Sequence, residues 1–89
     1  MQPPPFHGTD WLELETAIEI IGDLIAHHTA RLNKAVLEGA DDHTLGQIEQ
    51  EIKRLSRERL ECYNKDTNQL VIEKALTQYA PLLKSLTQT

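Results

Sequence analysis

The sequence predicts an all-α domain, a long antiparallel helical hairpin joined by a third, C-terminal helix into a three-helix bundle. Three observations predict it. Apolar residues recur at spacings of three and four at Trp11, Leu14, Ile18, Ile21 and Ile25, and again at Leu32 and Ala35 after a polar interruption at His28. That spacing puts them on one face of a helix and demands a packing partner. The gaps between periodic runs, at 39–44 and near 65–67, carry helix stops and caps. No segment alternates apolar and polar residues as a half-buried strand does.

Residues 1–8 are expected to form a flexible proline-rich tail, because three prolines at 3–5 cannot donate backbone hydrogen bonds and favour polyproline II, and Gly8 loosens the junction. Residues 9–89 form one helical domain. Thr9 or Asp10 offers an oxygen to cap the first helix, and with Asp10 as the cap Glu13 completes a capping box. This helix runs to Glu38 and stops at Gly39.

Asp41, Asp42, His43 and Thr44 make a turn, and Thr44 with Gln47 forms a second capping box ahead of helix two. Its seam reads Leu45, Ile48, Ile52, Leu55, Arg59 and Cys62, widened by Leu60 and Tyr63. Asn64, Asp66, Thr67 and Asn68 are better caps than helix-interior residues and place a break at 65–67. A continuous helix from 44 to about 79 is the competing expectation, since no Gly or Pro interrupts it. Helix three carries Leu70, Ile72, Leu76, Tyr79, Leu83 and Leu86, with Pro81 ending, kinking or restarting it near Ala80.

A short turn between helices one and two makes them antiparallel, with facing residue numbers that sum to about 81. Val36 then faces Leu45, Leu32 faces Ile48, His28 faces Ile52, Ile25 faces Leu55, and Ile21 with Gly22 faces Arg59. Gly22 costs about 1 kcal/mol relative to Ala inside a helix; room for a partner backbone, or for the Arg59 side chain reaching on to Asp23, would explain it, and a glycine that the helix simply tolerates is the plain alternative. Trp11 and Leu14 extend beyond the end of helix two, so helix three or another chain must cover them.

At 89 residues the chain is one domain of modest stability, and homodimerisation is expected to complete its core. The net charge of −5 is unevenly placed, with six acids against two bases over 10–38. That balance argues against binding a phosphate backbone and for a protein partner of basic character. A single cysteine, Cys62, allows no internal disulfide and favours a reducing compartment. No apolar run approaches the roughly 20 residues that span a bilayer, and the start lacks the pattern of a secretory signal, so a cytoplasmic location is expected with no membrane partner.

The candidate partner-binding residues are Trp11, Leu14 and Ile18 at the uncovered end of helix one, with Glu15, Glu19 and Asp23 as an acidic ridge at spacing four. The ridge continues into His27 and Arg31. Asp23 and His27 have metal-ligand spacing, but no further paired ligands accompany them, and neither a metal nor a cofactor is expected. His28 lies in the apolar seam, where protonation near pH 6 would place a charge among Ile and Leu and make association pH-sensitive. Lys53, Arg54, Arg57 and Arg59 form the basic cluster, much of it expected to pair as Glu49–Lys53, Arg54–Glu58 and Arg57–Glu61. No aromatic residue joins that cluster to stack on bases.

No phosphate-binding glycine loop, nucleophile elbow, CxxC pair or HExxH pattern is present, and no catalytic residues are assigned. Leu37-Glu38-Gly39 resembles the end of the inhibitory motif of the small helical antitoxins that block Fic enzymes. Lys34 stands where that motif carries a Ser or Thr, and the chain is not assigned to that family. The expected function is that of a small acidic regulatory or adaptor protein acting without catalysis through protein–protein contact. One alternative is an antitoxin or anti-defence inhibitor that meets a basic target with its acidic face. The other is a nucleic-acid-binding regulator that uses helix two.

Overall fold

The computed structural model of the chain describes residues 8–87. The expected proline-rich tail over 1–7 lies outside the described residues. Gly8, grouped with that tail from the sequence, instead opens α1 (Gly8–Leu37), and Thr9 and Asp10 continue the helix rather than preceding it. With 30 residues, α1 is about 45 Å long at 1.5 Å per residue.

The end of α1 follows from Gly39, whose φ of 77° is left-handed. The Ala40 N–H donates to the Ala35 carbonyl at 2.9 Å and the Gly39 N–H to the Val36 carbonyl at 3.1 Å. This is the Schellman pattern, which satisfies carbonyls the helix would otherwise leave open. The Leu37-Glu38-Gly39 triplet is therefore a helix stop. Helix α2 (Asp42–Glu61) begins with Asp41 as its cap, and the Asp41 carboxylate accepts from the Thr44 N–H at 2.8 Å. Thr44, expected to head a capping box, is the capped residue. That hydrogen bond holds the Asp41 carboxyl below the usual range.

A break separates α2 from the C-terminal third of the chain, which overturns the continuous helix over 44–79. The Asn64 carbonyl accepts from both the Thr67 and Asn68 N–H groups, and the Asn68 side-chain amide donates to the Cys62 carbonyl at 3.0 Å. These polar side chains turn the backbone, as their composition predicts. The C-terminal run consists of α3 (Asn68–Lys74), a π-helical turn (Ala75–Tyr79) and α4 (Ala80–Thr87). Pro81 does not end the helical run; a regular α-helix resumes at Ala80, one residue before it, after the π turn, which is the restart among the expected alternatives. A proline inside an α-helix clashes with the carbonyl four residues back, and the wider π turn immediately before Pro81 relieves that crowding. The widening also suits the spacing of Ala75, Tyr79 and Leu83, two steps of four that would drift around a regular helix.

The three helical runs pack as a bundle, with α1 against α2 on one flank and against the C-terminal run on the other. The described residues extend 56 × 29 × 18 Å. The buried core comprises Ala17, Ile21, Leu24, Leu55, Cys62, Ala75 and Tyr79, with Ile48 and His28 also buried. Within the hairpin, the Arg59 guanidinium approaches Gly22, as a register sum of 81 requires. Three expectations about burial need correction. Ala17 and Leu24, absent from the sequence stripe, are fully buried, while Ile18 and Ile25 are only partly so. Helix α1 has neighbours on two flanks, so its buried arc is centred between them rather than on the side facing α2. Val36 and Leu70 are exposed.

Candidate functional site

Helix α1 outruns α2. Under the hairpin register the last residue of α2, Glu61, lies level with Ile20, so the first twelve residues of α1 have no α2 beside them. The chain leaves α2 at Cys62 and turns across this end, forming a groove of about 580 Å³. Trp11, Leu14, Glu15, Ile18 and Glu19 supply one wall, and Cys62, Tyr63, Lys65 and Asn68 supply the other. A smaller hollow of about 270 Å³ adjoins it, sharing Trp11, Leu14, Lys65 and Asn68 and bounded also by Glu13, Gln69 and Ile72.

Five of the six residues predicted from the sequence line the larger groove; the sixth, Asp23, does not. Leu14 and Ile18 are partly buried against the core, so the C-terminal run covers part of what the hairpin leaves open. Trp11 keeps 47% of its surface exposed and Tyr63 keeps 64%. Glu15 and Glu19 are exposed along the rim. Tyr63, which sequence reasoning read only as a widening of the α2 seam, belongs to this groove because α2 ends two residues earlier.

A second polar cluster was not legible in the sequence. Arg54 embraces Glu51 with two hydrogen bonds, Nε to Oε1 at 3.0 Å and Nη2 to Oε2 at 2.9 Å. Its Nη1 donates to the Tyr79 hydroxyl at 2.6 Å and to Glu58 Oε2 at 3.3 Å. The Tyr79 hydroxyl donates to Glu58 Oε1, and Lys74 Nζ donates to Glu58 Oε2 at 3.1 Å. Both cations also stand over the Tyr79 ring, Lys74 Nζ at 5.3 Å and the Arg54 guanidinium at 5.9 Å from its centre. Burial alone would raise the Glu58 carboxyl; its bonds to Tyr79 and Lys74 outweigh that and hold it below the usual range. The cluster clamps α2 to the C-terminal run, and every buried side-chain polar atom among the described residues has a partner. Only the i,i+4 pair Arg54–Glu58 was predictable; no Glu49–Lys53 or Arg57–Glu61 ion pair occurs among the described residues.

His28 is buried, as its place in the seam predicts. Its Nδ1 accepts from Arg31 Nη1 at 3.0 Å, an arrangement that needs a neutral ring, and His27 packs edge-on at 5.6 Å. Burial first, and then Arg31, push the His28 pKa below its ordinary value. Asp23, reached by no ion pair from Arg59, lies on the exposed face of α1. Among the described residues no three His, Cys, Asp or Glu side chains gather as a metal site would require, and no helix is long and apolar enough to cross a membrane. Cys62 is a free, buried thiol whose burial pushes its pKa up. Comparison of the chain with protein-family models, with curated proteins and with solved structures returns no significant match.

Proposed function

We propose that this chain acts without catalysis, as a small regulatory or adaptor protein whose groove at the N-terminal end of α1 receives another protein. The observation that carries this reading is the half-exposed Trp11 and the exposed Tyr63 on the two walls of a groove whose α1 wall also carries Leu14 and Ile18. Large aromatic groups left at the rim of an apolar hollow are the usual anchors of protein association. The exposed Glu15 and Glu19 favour a partner of basic character, and Asp23 extends that acidic line along α1. An antitoxin or anti-defence inhibitor that meets a basic target would use the same surface. A homodimer would use it too, each copy covering the other's Trp11. The nucleic-acid reading has less support, because the most central base of the cluster, Arg54, is engaged by Glu51, Glu58 and Tyr79.

The reading is tested by capture from nuclease-treated lysate with the wild-type chain and with the Trp11→Ala and Glu15→Lys/Glu19→Lys variants, alongside sedimentation of each. A protein held by the wild type and released by both variants supports it, as does a wild-type dimer that both variants dissociate. Capture that disappears with nuclease, or retention and mass that neither variant changes, overturns it.

A further inference from the structure

We infer that the occupant of the groove is a cationic amphipathic helix, an inference that rests on the protein-docking reading above. Leu14 and Ile18 are four residues apart on α1 and so present a ridge with a pitch of about 6 Å. Glu15 and Glu19 repeat at that pitch one position away. An incoming helix with apolar residues at i and i+4 meets the first row, and Lys or Arg at the same interval on its flank meets the second.

The walls decide between a helix and an extended peptide. An extended segment held by β-pairing must find partners for its backbone N–H and C=O groups. Here one wall is α1, whose own backbone is already bonded, and the described residues contain no strand edge. A helix satisfies its own backbone and needs only side-chain contacts. Lys65 on the opposite wall repels a cation there, which sets the helix's orientation: basic residues toward Glu15 and Glu19, neutral or acidic ones toward Lys65.

Trp11 is the chain's one tryptophan, so its emission reports the groove directly. The probes are two peptides of about 15 residues, long enough to hold helix, with Leu at i, i+4 and i+7 and either Lys or Glu on the flank, and no aromatic residue. The full chain is titrated with each while Trp11 emission is followed. The expected result is a blue shift with the Lys peptide at an affinity at least about tenfold above the Glu peptide, reduced to parity by Glu15→Gln/Glu19→Gln and weakened by salt. Circular dichroism of the double variant checks that its helix content is unchanged. Equal affinity for the two peptides overturns the cationic assignment but leaves the docking reading standing. No shift with either peptide overturns the inference. If sedimentation then finds a dimer that Trp11→Ala dissociates, the occupant is a second copy; if lysate capture and mass are also unmoved by Trp11→Ala, the docking reading falls as well.

Discussion

The Arg59 guanidinium lies 3.5 Å from the point where a Cβ on Gly22 would project. That distance is ordinary van der Waals contact, so Arg59 uses the surface of Gly22 without requiring the missing side chain. Gly22→Ala should therefore stabilise the fold by about 0.5–1 kcal/mol, the usual gain from removing a glycine inside a helix. Thermal unfolding followed by circular dichroism should place its midpoint several degrees above the wild type. A lower midpoint would mean that Arg59 needs the space after all.

The same substitution at Gly39 should act in the opposite direction. Nothing lies within 4 Å of a Cβ there, but the φ of 77° is one that L side chains rarely adopt. Gly39→Ala should cost about 1 kcal/mol or more, because the Schellman turn that ends α1 must be held against that preference. A midpoint equal to the wild type would show that the turn relaxes to another geometry.

How far the fold could be read in advance depends on whether a feature is local. The Gly39 stop, the turn before α2 and the break after it each follow from residues within a few positions, and the pairing of Gly22 with Arg59 follows from turn length alone. The groove was partly legible for the same reason: an α2 that ends before α1 begins must leave Trp11 and Leu14 uncovered. The clamp at Tyr79 was not, because Arg54 and Glu58 meet a hydroxyl more than twenty residues away across a third helix. Its position there depends on the π turn, and single-sequence periodicity assumes a constant 3.6 residues per turn. The burial of Leu24 in place of Ile25 has a related cause, since a helix packed on two flanks buries the arc between them.

Leu24 provides a direct check on that arc. It is fully buried, whereas Leu37 at the far end of the same helix is 87% exposed. Leu24→Ala should cost about 2–4 kcal/mol, a large share of the stability of a domain this small, while Leu37→Ala should stay within about 0.5 kcal/mol of the wild type. Urea titration of both variants measures the difference. Equal costs would contradict the packing of α1 between α2 and the C-terminal run.

Tyr79→Phe removes one oxygen that serves two partners. The Glu58 carboxylate loses a donor, Arg54 Nη1 loses an acceptor, and the ring itself stays buried. The expected cost is about 1–2 kcal/mol, with little change in helix content. Glu58→Gln should destabilise as well, and the double variant should cost less than the two single changes together, because both break the same bond. Additive losses would mean that Tyr79 and Glu58 act independently.

His28 should make stability depend on pH in a window separate from that of the carboxylates. Its ring is neutral where it accepts from Arg31, and protonation would set a cation among His27 and Arg31 on α1 and Arg54 on α2, with only Glu51 in favour. Burial first, then Arg31, lower its pKa from 6.5 in the folded state. The unfolded chain therefore takes up the proton first as pH falls. The contribution is fully present above about pH 6.5, declines as pH drops toward the folded value, and changes no further below it. Glu51 and Glu58, whose carboxyls are lowered in the fold, lose their contributions only below their ordinary value of 4.5. The melting midpoint should thus fall between pH 7.5 and 5.5, and His28→Leu should flatten that decline while leaving the acid limb below pH 4.5 in place. A wild-type midpoint that is level across the upper window, or a His28→Leu variant with the same slope, would remove His28 as the titrating group.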